Sequence, residues 1–243
     1  LTNTTGIKGI VSTASNLNQL AVTNNDFIST AALDSEGMVW SAFAVQLTSA
    51  TGELDTVSIT GNGITTSATN LNVFGRGFYL GSGSANGPGG LIANNEIKAY
   101  YTVQAIRSTA DVTIADNDIQ GITMINAPLT GVTVAIDNNT FSGETQMTPN
   151  SLYALVELRS VEDATVIFSN NTVEDYTNIG FISESSKNVT VSGNTFNPAA
   201  TAANFISLMV NTKFMTNGVQ GNTYSDEIEI LGNTFNAGTA DQG

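Results

Sequence analysis

Residues 188–196 read NVTVSGNTF, and residues 228–235 read IEILGNTF. In each stretch an Asn (Asn194 or Asn233) interrupts an alternation of apolar and polar residues, and an aromatic residue follows two positions later. Such alternation predicts a β-strand with one buried face, whereas Asn favours turns. Both stretches therefore predict a strand, a tight corner and a second strand in close succession.

The same phrase recurs along the whole chain as apolar, any residue, Gly/Asn/Asp, Asn, any residue, apolar. Its Asn positions are Asn25, Asn62, Asn95, Asn117, Asn139, Asn171, Asn194, Asn222 and Asn233. Two consecutive spacings of 22 residues and one of 23 give the length of a bare repeat, and spacings of 28 to 37 indicate the same repeat with a loop inserted. The spacing of 11 between Asn222 and Asn233 is too short for a repeat, so one of these two is expected to lie off the main column.

One unit contains three short strand-like segments. Residues 112–119, VTIADNDI, alternate around a corner at Asp116 and Asn117, and residues 121–127, GITMINA, form a third β-rich segment. Three strands in about 22 residues fit one coil of a parallel β-helix. We therefore predict a single all-β domain over residues 1–243, with loop insertions at 81–90, 142–151 and 197–218; the last of these is expected to form a short helix or flap.

The recurrent Asn has a physical role in such a coil. Asn tolerates the left-handed backbone conformation better than other non-Gly residues, and its amide can bond to the Asn one coil up, at a spacing of about 4.8 Å. The next residue should face outward and form a column of its own. That column is acidic in the first half of the chain and threonine in the second: Asp26, Glu96, Asp118, then Thr140, Thr172, Thr195 and Thr234.

The phrases NVTVSGNTF and DVTIADNDI resemble the repeats of the pectin-lyase-like superfamily. The resemblance covers essentially the whole chain and implies a right-handed parallel β-helix of about eight coils with three short strands per coil. That superfamily includes lyases, hydrolases, epimerases, phage tailspikes and non-catalytic surface adhesins. The resemblance therefore implies a fold and no single activity.

Composition narrows the classes of partner. Seven basic and 21 acidic residues give a net charge of −14, which repels a phosphate backbone and argues against nucleic acid. The chain has no His and no Cys, which excludes imidazole-dependent triads and Cys/His zinc sites. No apolar run approaches the roughly 20 residues needed to cross a bilayer, so we expect no membrane insertion. Neutral polysaccharides and divalent cations remain compatible partners.

The motifs that the resemblance implies for enzymes are missing. The polygalacturonase type carries clustered Asp residues in NTD and DD motifs, and this sequence has neither. The pectate-lyase type needs acidic calcium ligands with an Arg or Lys base, but Arg107 and Arg159 sit in no matching motif. The segment DNDIQG at 116–121 begins like a calcium loop, but its twelfth position is Ala127 instead of Glu. We expect no cofactor. Calcium is the metal that the acidic residues are still compatible with.

Candidate ligand-binding residues come from aligning the third strands. YTVQAIRS, GITMINAP, YALVELRS and NIGFISES place Arg107, Asn126, Arg159 and Glu184 in one column, with Gln104 and Glu157 close by. Such a column is either a polar strip for a sugar chain or an outward ladder in which Arg159 and Glu184 pair across coils, worth about 0.2–1 kcal/mol. Exposed aromatic rings are the usual platform for neutral sugars, and the candidates are Tyr79, Tyr101 and Tyr153.

These observations favour an extracellular, non-catalytic module of a bacterial cell surface. We expect an adhesin or polysaccharide-binding β-helix that holds neutral plant or cell-wall polysaccharide, such as cellulose, on an exposed β-face. The cellulose adhesins called tāpirins are similar in general character. The alternatives are a polysaccharide lyase or glycoside hydrolase, using Arg159 or the pair Glu157 and Glu184, and a structural segment of a surface or tail fibre. Because the chain begins at Leu1 without a signal segment, we expect a domain excised from a larger protein.

Overall fold

The fold is all-β, as predicted. The computed structural model describes residues 8–12, 17–29, 38–48, 54–66, 73–82, 85–143, 154–161, 163–200, 202, 205–211, 215–216, 219–220 and 226–237. Over these ranges the chain forms strands and turns, without a helix. No segment in them is therefore a helix long and apolar enough to span a membrane.

The described strands are short and follow one another closely. In chain order they are β1 (Lys8–Ser12), β2 (Leu17–Thr23), β3 (Asp26–Ser29), β4 (Met38–Leu47), β5 (Leu54–Thr60), β6 (Gly63–Thr66), β7 (Val73–Leu80), β8 (Gly89–Ala93), β9 (Glu96–Ile106), β10 (Val112–Ala115), β11 (Asp118–Asn126), β12 (Thr133–Asp137), β13 (Thr140–Ser142), β14 (Ala154–Arg159), β15 (Thr165–Ser169), β16 (Thr172–Tyr176), β17 (Ile179–Glu184), β18 (Lys187–Ser192), β19 (Thr195–Pro198), β20 (Ile206–Asn211), β21 (Met215–Thr216), β22 (Val219–Gln220), β23 (Asp226–Leu231) and β24 (Thr234–Phe235). The predicted insertion at 197–218 thus contains strand β20.

The strands stack in three parallel columns. The first column is an eight-stranded sheet in the order β2-β5-β8-β10-β12-β15-β18-β23. A 14-stranded sheet holds the other two: β3-β6-β9-β11-β13-β16-β19-β24 is the second column and β1-β4-β7-β9-β11-β14-β17-β20 the third, joined because β9 and β11 run through both. Only β21 and β22 pair antiparallel among the described strands. Parallel strands in stacked sheets are consistent with the predicted β-helix.

The core lies between the columns. Alternate side chains of each strand turn inward, so that Ile114 of the first column, Ile119 of the second and Ile125 of the third are all fully buried in one cluster. Aromatic rings continue this packing between columns, with 4.9 Å between the ring centroids of Phe168 in the first column and Phe181 in the third. Because each inward residue lies on its equivalent in the next unit, the apolar alternation of the sequence becomes a continuous interior.

The corner between the first and second columns repeats the same backbone in eight units. The residue before the recurrent Asn has the left-handed conformation. The prediction placed this conformation on the Asn itself, which is wrong. These residues have φ between 55° and 67°: Asn24, Gly61, Asn94, Asp116, Asn138, Asn170, Gly193 and Gly232. Only Gly, Asn and Asp occur there because they tolerate positive φ best.

The recurrent Asn forms the predicted ladder, and its geometry satisfies every polar group of the amide. In the unit of Asn95, the backbone N–H and Nδ2 both donate to Asn117 Oδ1, at 3.0 and 2.9 Å, and Nδ2 also donates to Ile59 O of the preceding unit at 3.0 Å. The ladder consists of Asn25, Asn62, Asn95, Asn117, Asn139, Asn171, Asn194 and Asn233. Asn233 therefore lies on the main column, and Asn222 lies outside the described residues.

Candidate functional site

The candidate site is the outward face of the third column. On β9, β11, β14 and β17 the residues that alternate with it, such as Val156 and Leu158, are buried in the core, and the strip continues onto β20. We call the outward face the outer strip, and it has two rows in register. The upper row is Gln104, Met124, Glu157, Ile182 and Met209, and the lower row is Ile106, Asn126, Arg159, Glu184 and Asn211.

The predicted column of four residues is correct for three of them. Asn126, Arg159 and Glu184 pair in register on consecutive strands, whereas Asn126 is paired with Ile106 and not with Arg107. The cause is a bulge: β9 accommodates two extra residues relative to β11 between Lys98 and Val103, and the predicted alignment required three.

Arg107 instead occupies the corner that follows the third column. Its φ is 51°, like the 46° to 51° of its equivalents Ala127, Ser160 and Ser185. Its Nε donates to Asn86 Oδ1 at 3.2 Å, so the guanidinium holds the Gly-rich segment before β8. This contact directs Arg107 away from the outer strip.

An ionic group lies at the centre of the outer strip. Arg159 Nη2 is 2.8 Å from Glu157 Oε2 on the same strand, and Arg159 Nε is 3.8 Å from Glu184 Oε2 on the next strand. Glu157 Oε1 accepts a hydrogen bond from the Ala154 N–H at 3.2 Å. The pairing of Arg159 with Glu184 that the sequence predicted is present, but the closer partner of Arg159 is Glu157.

Burial governs the protonation of this group. Glu157 is fully buried, and the loss of solvation raises its pKa to about 7 against the opposing charge of Arg159. Burial also raises the pKa of Glu184, while Arg159 and a hydrogen bond from Asn211 lower it in part. The strip thus holds two carboxyl groups with raised pKa values, beside one guanidinium.

The two rows differ in access to solvent. Gln104 and Glu157 of the upper row are buried, and Gln104 Nε2 lies 3.9 Å from Met124 Sδ. The side chains of Arg159 and Glu184 keep 18% and 16% of their surface, and Asn126 and Asn211 are also partly exposed. A ligand on the strip would therefore meet the lower row. Asn211 was not predicted, although the alternation in ISLMVN (206–211) was a signal for the strand that carries it.

The tyrosines lie on the same column in different rows. Tyr79 pairs in register with Gln104, whereas Tyr101 pairs with Arg76 and Ile122, and both rings are half-buried. The Arg76 guanidinium lies 4.7 Å from the centroid of the Tyr79 ring. Tyr153 lies outside the described residues. The two described rings of the predicted platform thus lie in different rows at one end of the strip.

The acidic residues do not assemble into a metal site over the described ranges. No group of three or more carboxylates there is placed to hold an ion. Residues 116–121 form the corner before β11 and its first strand residues, and Asp116 Oδ1 accepts a hydrogen bond from Asn138 Nδ2 at 2.6 Å. This segment is therefore one rung of the repeat.

The site offers hydrogen-bonding groups on a rigid wall. Its accessible row supplies amide donors and acceptors from Asn126 and Asn211, a guanidinium from Arg159 and a carboxyl from Glu184, each on a different strand. Such a row can both donate hydrogen bonds to the hydroxyl groups of a ligand and accept hydrogen bonds from them. Comparisons with models of protein families, with curated proteins and with solved structures give no match.

Proposed function

We propose that this chain is a right-handed parallel β-helix of the pectin-lyase-like kind, with about eight coils. Its support is the repetition itself: three columns of eight described strands each, and an Asn ladder with one rung per unit. In such a rod each coil contributes one position to every outward row.

On this fold we propose a non-catalytic, extracellular module of a bacterial cell surface that binds neutral polysaccharide on the outer strip. The observation that carries the proposal is the lower row, Asn126, Arg159, Glu184 and Asn211, which pairs in register on four consecutive strands. Strand spacing sets successive polar groups about 4.8 Å apart along a straight line. An extended sugar chain presents hydroxyl groups that both donate and accept, which matches this mixture of amide, guanidinium and carboxyl groups.

Charge also favours a neutral ligand. The guanidinium of Arg159 already lies beside the carboxyl oxygens of Glu157 and Glu184, so fewer of its donors are left for an anionic polymer. The net charge of −14 adds a general repulsion of polyanions. Uncharged polymers such as cellulose or xylan need no positive charge on the strip, and the net negative charge does not repel them.

The second candidate is a polysaccharide lyase or glycoside hydrolase of the same superfamily. One observation favours it: burial raises the pKa of Glu157 to about 7, a value suited to general acid–base catalysis near neutral pH. Against it, Glu157 is fully buried, and its Oε2 is held by Arg159 at 2.8 Å. A carboxyl in that position is better placed to orient Arg159 than to reach a substrate.

The test is depletion of the protein from solution by insoluble cellulose, xylan and chitin. We expect wild type to be retained by at least one of them. Asn126→Ala/Asn211→Ala should bind about thirtyfold more weakly, since each of the two lost hydrogen bonds is worth about 1 kcal/mol. The matched control is Thr113→Ala/Thr190→Ala, two partly exposed polar side chains on the outer face of the first column. It should bind like wild type.

Three outcomes oppose the proposal. If none of the polymers retains the protein, the proposed binding function is wrong. If Thr113→Ala/Thr190→Ala loses as much affinity as Asn126→Ala/Asn211→Ala, the outer strip is not the binding site. Unsaturated products or new reducing ends during incubation would establish the enzyme instead.

A further inference from the structure

A buried acidic residue lies directly behind the accessible row of the outer strip. Glu157 is fully buried, whereas Arg159, two positions further along β14, keeps 18% of its side-chain surface. The two side chains meet at 2.8 Å between Glu157 Oε2 and Arg159 Nη2. Because residues two positions apart on a strand share one face, Glu157 holds from the upper row a group that belongs to the lower row.

Glu157 is itself held in place. Its Oε1 accepts a hydrogen bond from the Ala154 N–H at 3.2 Å, and its neighbours in the upper row, Met124 and Ile182, are both buried. Arg159 on the same strand and Glu184 on the next are the charged side chains that act on it among the described residues. One carboxyl oxygen is thus fixed to the backbone, and the other is directed at the guanidinium.

The burial of Glu157 opposes folding at neutral and alkaline pH. Loss of solvation raises its pKa to about 7, so the folded chain carries this carboxylate less readily than the unfolded chain does. Gln has nearly the same shape and no charge, so it would occupy the position without this loss of stability. A buried charge that weakens the fold where a neutral residue would not points to a use outside folding.

The position of Arg159 depends on a balance between two acidic partners. Its Nε lies 3.8 Å from Glu184 Oε2, a distance longer than a hydrogen bond, while its Nη2 is within hydrogen-bond distance of Glu157. A neutral Glu157 attracts the guanidinium less strongly than a carboxylate does. The contact of Arg159 with Glu184 is then favoured, and the two groups of the lower row satisfy each other instead of a ligand.

We propose that Glu157 is a positioning residue of the outer strip, which holds the Arg159 guanidinium where it binds the polysaccharide and keeps it from closing on Glu184. This inference rests on the proposed function and adds a regulation to it. Ionised Glu157 fixes Arg159 and supports binding, whereas protonation of Glu157 releases Arg159. Affinity for the polysaccharide therefore falls as the pH falls.

The test is depletion by the retaining polymer across the pH range from about 5 to about 8.5, on either side of the pKa of Glu157. Wild type should gain about tenfold in affinity with rising pH, the effect of one hydrogen bond from a charged donor. Glu157→Gln should equal wild type at the acidic end and show no gain. At the alkaline end it should bind more weakly than wild type although it resists urea better, a combination that a merely structural role of Glu157 does not produce.

Three further variants locate the effect. Glu229→Gln, an exposed carboxyl on the first column, should keep both the affinity and the pH profile of wild type. Glu184→Gln should bind more weakly but keep the gain with pH, because Glu157 still titrates. Arg159→Gln should lose the gain, and adding Glu157→Gln to it should change nothing further, since the two residues act through one contact.

A measurement without ligand follows Arg159 directly. The chain has three Arg residues, so a nitrogen-15 NMR spectrum of the guanidinium groups contains three Nε–H signals, which substitution assigns. The signal of Arg159 should shift with pH around the pKa of Glu157, about 7, in wild type and not in Glu157→Gln. Circular dichroism checks that each variant is folded.

The outcomes separate this inference from the function on which it rests. Wild type that binds equally across the pH range overturns the positioning role alone, and so does Glu157→Gln that keeps the gain. An Arg159 signal that does not shift, or a gain that is lost in Glu184→Gln instead, has the same consequence. Retention of wild type by no polymer at any pH overturns the proposed function and the positioning role together.

Discussion

The corner that carries the Asn ladder and the outer strip of the third column lie in the same units. The corner repeats one residue from unit to unit, whereas the strip does not. At the corner, eight described units place Asn in the same backbone, and each rung from Asn25 to Asn194 donates to the next. On the strip, the lower row changes from Asn126 to Arg159 to Glu184 in consecutive units. Repetition marks the positions that the stack itself requires, and variation marks those left for another purpose.

The difference has a physical basis in how buried polar groups are satisfied. A ladder amide such as that of Asn95 donates one hydrogen to the amide oxygen of the next rung and the other to a backbone carbonyl of the preceding unit. Its oxygen accepts from the backbone N–H and Nδ2 of the preceding rung. A different residue at one rung leaves its neighbours without partners in a buried site. A strip residue such as Asn126 is partly exposed and can exchange partners with water. The two regions should therefore respond differently to substitution.

The largest effect is expected at the centre of the ladder. Asn117→Ala removes the acceptor of the Asn95 N–H and of Asn95 Nδ2, and two buried donors are left unsatisfied at about 1–3 kcal/mol each. We expect the free energy of unfolding to fall by about 4 kcal/mol, measured by urea denaturation.

The matched control for this variant is Asn94→Gly in the same corner. Asn94 is exposed and has φ 55°, and Gly occupies the equivalent position in three other units. Because Gly adopts this conformation without strain, we expect a change within about 1 kcal/mol. A loss at Asn117 no larger than that at Asn94 would mean that the ladder is not what holds the units together.

Much of the ladder could be predicted from the sequence, because the repeat displays it directly. Eight Asn residues with a small or polar residue before them and an apolar one two positions later define a stack of equivalent corners. The outward column also follows, and its residues pair in register from Glu96 through Asp118 to Thr140. What the repeat does not reveal is which of two adjacent residues takes the left-handed conformation, since both positions admit Asn.

The outer strip could be predicted only in part. Aligning the third strands places Asn126, Arg159 and Glu184 together, but the bulge in β9 shifts Arg107 out of the row, and a bulge leaves no mark in the alternation. The burial of Glu157 was also beyond prediction, because an outward position on a strand is normally accessible. Its low exposure depends on what neighbouring segments cover, which local pattern does not contain.

The second largest effect is expected in the pH dependence of the free energy of unfolding, through Glu157. Its pKa in the folded chain is about 7 against an ordinary 4.5, so the folded state favours the neutral carboxyl. Stability from this group is complete below about pH 4.5 and is lost as the pH rises to about 7, a loss of roughly 3 kcal/mol. Glu157→Gln should remove this dependence. The free energy of unfolding of the variant should therefore rise relative to that of wild type, by roughly 3 kcal/mol between about pH 4.5 and pH 7.

The control for Glu157→Gln is Glu229→Gln on β23. Glu229 is exposed, so its unfolding curve should run parallel to that of wild type between pH 4.5 and 7.5. Arg159 and Glu184 are unchanged in both variants, which leaves burial of the one carboxyl as the difference. Parallel curves for all three proteins would show that Glu157 is solvated, and the contrast between a buried upper row and an accessible lower row would fail.

The smallest effect is expected in the column that follows the ladder, which varies along the stack as the strip does. Asp118 pairs in register with Glu96 on one side and Thr140 on the other, and both acidic side chains are exposed. Asp118→Thr introduces the residue of the second half of the chain, removes a repulsion between adjacent strands and favours the strand conformation. We expect a stabilisation of about 0.5 kcal/mol in urea denaturation at low salt, and less at high salt because the repulsion is screened.

The reverse change, Thr140→Asp, extends the acidic run by one strand and should destabilise by a similar amount. A loss of stability in Asp118→Thr would show that this column, like the ladder, requires its own residues, and variation along the stack would no longer identify positions that the fold leaves free.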